Sequence, residues 1–190
     1  MAVKSRRKAR EAALRALYEI EISNNWVGDA IQEAATNADL DETMRAYHET
    51  LVWGVERERK WLDGELEPLL HDYGIDRLAA VDRNVLRLAA YEISFEPSIP
   101  PAVTVNEAVE IAKKYSTAES GRFVNGVLAK YLQKSAKANW TAESAPPEQT
   151  EEPPSEVEPE ETAEMVAEDS PEAVEARKIG AWRLKESSAE

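Results

Sequence analysis

Cysteine is absent from this sequence of 190 residues, which excludes disulfides, thiolate nucleophiles and thiolate metal sites. Histidine is scarce, and the two that occur, His48 and His71, belong to no HExxH metal-binding pattern. The seven glycines stand singly, so no glycine-rich phosphate-binding loop is predicted. No apolar run reaches the ~20 residues of a membrane span, and none follows the basic start as in a signal peptide. We therefore expect a cytoplasmic protein without a metal or cofactor, whose histidines are structural or solvated at helix surfaces.

The charges divide the chain near Trp140. The net charge of the whole sequence is −14, but most of the acidic excess follows Trp140, where prolines are frequent and large apolar residues are few. Such a segment cannot bury enough surface to offset the entropy of ordering it. We expect one helical domain over residues 1–140 and a disordered acidic tail over residues 141–190.

Apolar residues at three- and four-residue steps predict helices throughout residues 1–140. No stretch shows the two-residue alternation of a strand convincingly, so the predicted fold class is all-α. In the first helix the predicted buried stripe consists of small and branched apolar residues, Ala9, Ala13, Ala16, Leu17 and Ile20.

Polar residues in capping positions predict where several helices begin. Asp41 and Asp82 are expected N-caps, because a carboxylate can accept hydrogen bonds from the free N–H groups of a first turn. Thr104–Glu107 and Ser116–Glu119 have the form of capping boxes. Gly126, inside the last predicted helix, is expected to mark a close contact between two helices.

The N-terminal segment is basic although the protein is acidic. Six of the 23 basic residues fall in the first fifteen positions, at Lys4, Arg6, Arg7, Lys8, Arg10 and Arg15. Cations near the start of a helix are unfavourable, and bound phosphates would relieve that cost. We expect an anionic partner at a folded surface that carries these guanidinium groups. The alternative is a solvated arm that binds nothing.

A second group of cations frames the last two helices. It consists of Lys113, Lys114, Arg122 and Lys130, and Phe123 follows Arg122 directly. An arginine beside an aromatic ring suits single-stranded RNA, whose unstacked bases can lie on the ring while its phosphates meet the guanidinium. Phe123 also lies at core spacing with Val127, so the pattern leaves open whether it is a core residue or a platform for a base.

Three stretches of the chain together resemble the NusB family of transcription antitermination factors. They are the basic first helix, the helix after residue 80 and the last two helices, at Lys4–Tyr18, Asp82–Ile93, and Val105–Tyr115 with Arg122–Leu128. The resemblance covers roughly residues 3–133, with the motifs in order, and it leaves the acidic tail unmatched.

The resemblance implies a fold of two three-helix bundles without catalytic activity. It implies binding to the boxA RNA of ribosomal RNA leader transcripts, together with the small-subunit ribosomal protein that acts as NusE, in an antitermination complex on RNA polymerase. By motif, the RNA contacts fall on Arg6, Arg7 and Arg10, with Lys4 in the same basic segment, and on Arg122 and Phe123. The partner-binding helix is the one that carries Asp82, Arg83 and Arg87.

Two readings from other classes remain open from the residues. One is a helical scaffold that binds only protein, with the basic arm incidental. The other is an enzyme that uses surface carboxylates, although nothing in the pattern selects a pair of them. The residues also leave the oligomeric state open, and the resemblance allows a homodimer, because some relatives associate through apolar surfaces.

Overall fold

Six α-helices account for most of the computed structural model, which describes residues 2–70, 74–117 and 119–141, with side chains from Arg6 onward. The helices are α1 (Ala2–Ser23), α2 (Val27–Asn37), α3 (Glu42–Leu66), α4 (Ala80–Phe95), α5 (Pro101–Tyr115) and α6 (Ser120–Lys134). These three ranges contain no strand, and the all-α prediction is confirmed. None of the helices in them is long and apolar enough to cross a membrane.

The helices form two three-helix bundles that share α4 as a central contact. Helices α1, α2 and α3 pack on one another, as do α4, α5 and α6, and α4 also packs against both α1 and α3. The predicted pair of bundles is therefore confirmed. Buried apolar residues from both bundles form one continuous core, so each helix of the second bundle has a fixed position relative to the N-terminal helix.

The buried stripe of α1 follows the predicted spacing. Ala9, Ala13, Ala16 and Leu17 are fully buried, and Ile20 is nearly so. Because alanine side chains are short, α2 and α3 can approach the α1 backbone closely. The same helix carries the basic residues at its start, so burial of this stripe fixes which of its side chains face outward.

Helix α3 begins at its predicted cap. Asp41 Oδ1 accepts a hydrogen bond from the Met44 N–H at 2.9 Å, which makes Asp41 the N-cap. The helix ends at Leu66, and the chain continues in a short 3₁₀ helix, Glu67–Leu69, that contains Pro68. Proline has no N–H to donate, so the α-helical hydrogen-bond pattern stops here.

Two of the predicted caps are wrong. Helix α4 begins at Ala80, and Asp82 lies inside its first turn, where its carboxylate accepts a hydrogen bond from Ser120 Oγ at 3.0 Å. Helix α5 begins at Pro101, so Thr104 and Glu107 lie inside it and form no capping box. Both side chains are instead buried and bonded to other helices. Proline at the first position of α5 has a preset φ that suits a helix start.

The predicted capping box at Ser116–Glu119 is wrong, because α6 begins at Ser120 and its N-cap, Glu119, makes no side-chain cap bond. The Thr117 N–H donates to Ser120 Oγ, and the Ser120 N–H donates to Thr117 Oγ1, each at 3.3 Å. These reciprocal bonds are like those of a capping box, but they lie in the turn that leads into the helix. Ser120 therefore joins the start of α6 to Asp82 at the start of α4.

The close helix contact predicted at Gly126 occurs at Gly54 instead. A Cβ at Gly54 would lie 2.0 Å from Cζ of the Tyr91 ring, so only glycine lets α4 approach α3 here. Among the described residues, no neighbouring atom would lie within 4 Å of a Cβ at Gly126. The prediction for Gly126 is therefore wrong.

The expectation of a surface position is also wrong for His48. Its side chain is fully buried, and its Nε2 lies 3.1 Å from the Ile31 carbonyl oxygen. Burial lowers the pKa of His48, and the Ile31 carbonyl opposes this only in part. His71 and the predicted acidic tail beyond Thr141 lie outside the described residues.

Candidate nucleic-acid interface

Arg7 is held on the surface of α1 by a buried carboxylate of α5. Its Nε and Nη2 each donate to a different oxygen of Glu107, both at 2.7 Å, and this pairing raises the pKa of Arg7. The Arg7 side chain remains 41% exposed. A guanidinium has five N–H donors, and Glu107 uses two of them, so the outer edge of Arg7 can still donate to an anion.

Arg10 does not lie at the surface as the sequence predicts. It is only 4% exposed, and its Nε donates to Glu92 of α4 at 2.8 Å. Burial is the largest influence on the pKa of Arg10 and acts to lower it, but the Glu92 charge and hydrogen bond, together with Tyr47 and Glu107, outweigh it, and the pKa is raised. Tyr47 and Thr104 also donate to Glu92. Arg10 thus joins α1 to α3, α4 and α5 through one carboxylate.

Arg6 and Lys8 complete the exposed part of the basic segment. Both side chains are exposed, and Lys8 Nζ donates to the Asp39 carbonyl oxygen at 3.3 Å. Burial raises the pKa of Glu96, and the positive charge of Arg6 opposes part of this rise. Lys4 lies on α1, but its side chain is outside the described part of the chain. We call Arg6, Arg7 and Lys8 the N-terminal basic surface.

Two lysines at the end of α5 lie between α1 and α6. Lys114 Nζ donates to Glu11 of α1 at 2.6 Å, and it lies 4.9 Å from the centre of the Tyr115 ring. Lys113 packs against α6, since a Cβ added at Gly121 would lie 2.7 Å from Lys113 Cγ. These two lysines therefore lie between the two groups of predicted RNA contacts.

Arg122 and Phe123 lie at the start of α6. Arg122 is exposed, and its Nη1 is 3.4 Å from Glu119, which is also exposed. Phe123 is half-buried, packs against the core and lines a groove of about 360 Å³. The groove is formed by residues of the chain after α3, of α6 and of the position just before α6: Leu69, Leu70, Glu119, Arg122, Phe123, Gly126, Val127 and Lys130. Phe123 is thus in contact with the core and open to the groove.

The structure does not bring Arg122 and Phe123 next to the N-terminal basic surface. The start of α6 bonds to Asp82, whereas Arg10 bonds to Glu92, and these two acids are ten residues apart on α4. At 1.5 Å per residue the two contact points are about 15 Å apart along that helix. One ligand can reach both regions only if it is extended.

Arg83 and Arg87 of the predicted partner helix are bonded within the chain. Arg87 is buried and donates to both carboxylate oxygens of Asp63, at 2.7 and 2.8 Å, and to Glu21 at 3.0 Å. Arg83 also donates to Glu21, and to the carbonyl oxygens of residues 75, 76 and 78. Both arginines therefore join α1 to the start of α4. Arg83 also binds the chain after α3, and Arg87 also binds α3 itself.

Sequence reasoning misses the carboxylates that hold these arginines. The sequence contains 37 acidic residues, and no local pattern marks out the four that bind these arginines, which are Glu21, Asp63, Glu92 and Glu107. Glu92 carries one usable signal, because it lies within the apolar stripe of α4, four residues after Leu88 and next to Ile93. An acid at a core position of a helix needs a buried partner.

Comparison with known proteins places the chain in a family. Its residues 7–133 match the model of the NusB family. It is 42% identical over 131 residues to the transcription antitermination protein NusB of Desulfitobacterium hafniense, covering 68% of this chain and 88% of that protein. A solved structure of T. maritima NusB superposes with a TM-score of 0.66 at 35% identity, covering 70% of this chain and 94% of that one.

A second solved structure contains antitermination factors NusB and NusE in complex with double-stranded RNA. Its matching chain has a TM-score of 0.64 at 30% identity, with 68% of this chain and 97% of that chain covered. The match to the family model begins at Arg7 in α1, covers α2 to α5 completely and ends one residue before the end of α6. The chain belongs to the NusB family.

Proposed function

We propose that this chain is a transcription antitermination factor that binds the boxA RNA of ribosomal RNA leader transcripts. It acts in the cytoplasm, without catalysis, together with the small-subunit ribosomal protein that serves as NusE on RNA polymerase. The observation that carries this proposal is the N-terminal basic surface, where Glu107 fixes Arg7 with its outer edge open beside Arg6 and Lys8. Membership of the NusB family supports the same function.

The fixed geometry of Arg7 favours binding of a phosphate. A free arginine side chain loses rotamer freedom when it binds, and here Glu107 has already removed most of that freedom. Arg6 and Lys8 add charge on the same stretch of α1 and supply attraction that does not depend on base sequence. Arg10 is a positioning residue in this proposal, because its buried bond to Glu92 fixes the angle of α1.

The RNA extends from the N-terminal basic surface past Lys113 and Lys114 to Arg122 and Phe123. The axial separation of about 15 Å corresponds to roughly four or five stacked nucleotides at 3.4 Å each. Exposed lysines along α5 supply phosphate contacts between the two ends. A single-stranded RNA is flexible enough to follow such a curved surface and to present unstacked bases.

We place the ribosomal-protein partner on the side of α1 that faces the start of α4. Ile22 and Tyr18 lie four residues apart on α1 and are 58% and 42% exposed. Glu21, on the same part of α1, is bonded to Arg83 and Arg87. Arg83, Arg87 and Asp82 stabilise the start of α4 beside this part of α1. The exposed side chains of Tyr18 and Ile22 supply the apolar area that a partner can bury.

The test of the proposed function is binding of the full chain to a fluorescent single-stranded boxA RNA, measured by anisotropy. A scrambled RNA of the same composition is the control. We expect tighter binding to boxA RNA, and a further gain when the ribosomal protein is added. Equal affinity for both RNAs, with or without the ribosomal protein, contradicts the proposal, and binding to the ribosomal protein alone favours the helical scaffold.

A further inference from the structure

Two large aromatic side chains are exposed where α3 packs against the end of α4. Trp61 and Phe95 are 44% and 39% exposed, and their ring centres lie 5.4 Å apart in an edge-to-face arrangement. Phe95 also stacks on the buried ring of Tyr91, with 5.0 Å between the ring centres. These contacts fix the Phe95 ring before any ligand binds, which lowers the entropy cost of binding. Exposed aromatic side chains that lie together indicate a binding surface.

The two rings line a groove of about 540 Å³, which we call the Trp61 groove. Helix α3 contributes Glu58, Trp61 and Glu65 to its lining. The end of α4 and the chain at and after the end of α6 contribute the rest, including Ser94, Phe95, Tyr131, Lys134 and Lys137. The volume is in the range of pockets that bind small organic groups, so the groove can enclose one long side chain of a partner.

Two carboxylates flank Trp61 on α3. Glu58 lies three residues before Trp61 and Glu65 four residues after it, and these spacings place the three side chains on one face of the helix. Burial raises the pKa of Tyr131, the hydrogen bond with Ser94 opposes this rise, and the Glu65 charge adds to it. Glu65 therefore lies close enough to the α6 side of the groove to act across it.

A guanidinium already binds the α3 wall of the groove within the chain. Arg57 Nε donates to Glu58 Oε1 at 2.8 Å, and the Arg57 side chain is 70% exposed. An exposed ion pair of this kind contributes little to stability, so a guanidinium from outside can replace Arg57 at Glu58. Glu58 can also accept from both at once, because an ionised carboxylate has about four lone-pair sites.

We propose that the Trp61 groove binds an arginine side chain of a protein partner, with the guanidinium over the Trp61 ring between Glu58 and Glu65. Tryptophan is the aromatic side chain that attracts cations most strongly, and carboxylates accept the N–H groups of a guanidinium. Arginine suits the site better than lysine, because its planar head can stack on a ring while it donates sideways. RNA suits it poorly, because Glu58 and Glu65 would repel phosphates.

The groove also contains two lysines, Lys134 and Lys137. Lys137 Nζ donates to the carbonyl oxygens of Glu96 at 2.5 Å and of Ile99 at 2.9 Å, so its charge is balanced by the end of α4. Lys134 is exposed on the last turn of α6. Its charge opposes a bound cation and would favour a bound anion. Removal of Lys134 therefore separates a guanidinium from a phosphate as the occupant.

The Trp61 groove is separate from the side on which we place the ribosomal protein. Phe95 lies thirteen residues after Asp82 on α4, which is about 20 Å along the helix axis. A partner that binds the groove through an arginine can therefore be present together with the ribosomal protein. The inference does not depend on RNA binding, because the acids and rings of the groove are not part of the N-terminal basic surface.

The test is a titration of the isotope-labelled full chain with a capped Gly-Arg-Gly peptide, followed by the indole N–H signals in NMR spectra. The signals of Trp61 and Trp53 are identified by their loss in Trp61→Phe and Trp53→Phe. Trp53 is the internal control, because it is 47% exposed on α3 and does not line the groove. We expect the Trp61 signal to shift with a dissociation constant on the order of millimolar, and the Trp53 signal to stay in place.

A peptide with citrulline in place of arginine keeps the shape of the side chain but lacks its charge. It should bind at least about fivefold more weakly. Glu65→Gln should weaken binding of the arginine peptide about threefold, and Lys134→Gln should strengthen it. Glu42→Gln removes an exposed acid from the first turn of α3, outside the groove, and should leave the affinity unchanged.

Equal affinity for the arginine and citrulline peptides, or no shift of the Trp61 signal, overturns the inference. A Trp53 shift that matches that of Trp61 also overturns it, because arginine would then bind exposed tryptophans without selection. If a single-stranded RNA shifts the Trp61 signal, and Lys134→Gln weakens that binding while Glu65→Gln strengthens it, the groove binds an anion and the inference is wrong.

Discussion

Arg10 and Glu92 form a buried ion pair between α1 and α4, with Arg10 Nε 2.8 Å from Glu92 Oε1. The two residues are 82 positions apart in the sequence, and both side chains are at most 5% exposed. Glu92 also accepts hydrogen bonds from Tyr47 and Thr104. The N-terminal basic helix is therefore attached to the centre of the molecule by a fully bonded carboxylate.

Removal of the Glu92 charge should destabilise the fold strongly. In Glu92→Gln the buried guanidinium of Arg10 loses its hydrogen-bonded counter-charge and keeps only the more distant Glu107 carboxylate, 4.0 Å from Nη1. Breaking a buried pair costs about 3–5 kcal/mol. Urea unfolding followed by circular dichroism measures this loss. Glu119→Gln removes the acid of the exposed Arg122 pair and should leave the midpoint nearly unchanged. Equal midpoints for the two variants would show that the buried pair is not a stabilising contact.

His48 should make stability depend on pH. Burial lowers its pKa below the ordinary value of 6.5, so the unfolded chain binds a proton that the folded protein resists. The sign follows from this difference: the contribution is complete above pH 6.5 and is lost as the pH falls towards the folded pKa. The slope in this window reaches at most about 1.4 kcal/mol per pH unit.

The measurement is the free energy of unfolding in urea at several pH values between 7.5 and 5, for the wild type and His48→Gln. We expect the variant to lose less stability than the wild type over this window, whatever its stability at pH 7.5. Parallel curves would mean that His48 titrates alike in the folded and unfolded protein.

Gly54 and Gly64 should respond to alanine with opposite signs. Both lie in α3, but a Cβ at Gly54 would overlap the Tyr91 ring, whereas one at Gly64 would have no neighbour within 4 Å in the described part of the chain. Overpacking costs about 1–3 kcal/mol, while alanine in an open helix position gains up to ~1 kcal/mol. Urea midpoints that shift in the same direction for both variants would contradict the close contact between α3 and α4.

Ile22 tests the proposed partner side of α1. Ile22→Asp places a charge on a side chain that is 58% exposed, so the fold should be nearly unaffected. Binding to the ribosomal protein, measured by calorimetry, should weaken at least tenfold because an apolar contact is replaced by a desolvated charge. Binding to RNA alone should change little. Arg87→Ala is the contrasting variant. It leaves Asp63 without its Arg87 partner, so we expect it to lower the free energy of unfolding, which Ile22→Asp should leave nearly unchanged.

The sequence predicts the helices and the buried stripe of α1, because burial repeats with the helical period and Ala9 to Ile20 follow it. It does not predict what Asp82, Thr104 and Glu107 do. Each has the right type for a cap, but each bonds a helix that is distant in sequence. A capping motif is a local signal, and a contact between helices overrides it without leaving a local trace.

The same limit applies to the candidate site. The basic segment is visible in the sequence, whereas the division of its residues into exposed and buried ones is not. Arg7 and Arg10 are three apart on α1, yet one remains 41% exposed and the other is buried. That difference depends on where α4 and α5 place Glu92 and Glu107.

The most direct test of the account is the salt dependence of boxA RNA binding in the Arg6→Ala/Arg7→Ala variant. Each lost phosphate contact should flatten the slope of log K against log salt by about 0.7, so the double variant should lose about 1.4. Arg57→Ala/Lys60→Ala removes two exposed cations of α3 and is the charge-matched control. Circular dichroism at the assay temperature verifies folding, because Glu107 loses a partner. A weaker affinity and a flatter slope in the first variant alone are predicted; the same affinity and slope in both variants and the wild type would contradict RNA binding by the N-terminal basic surface.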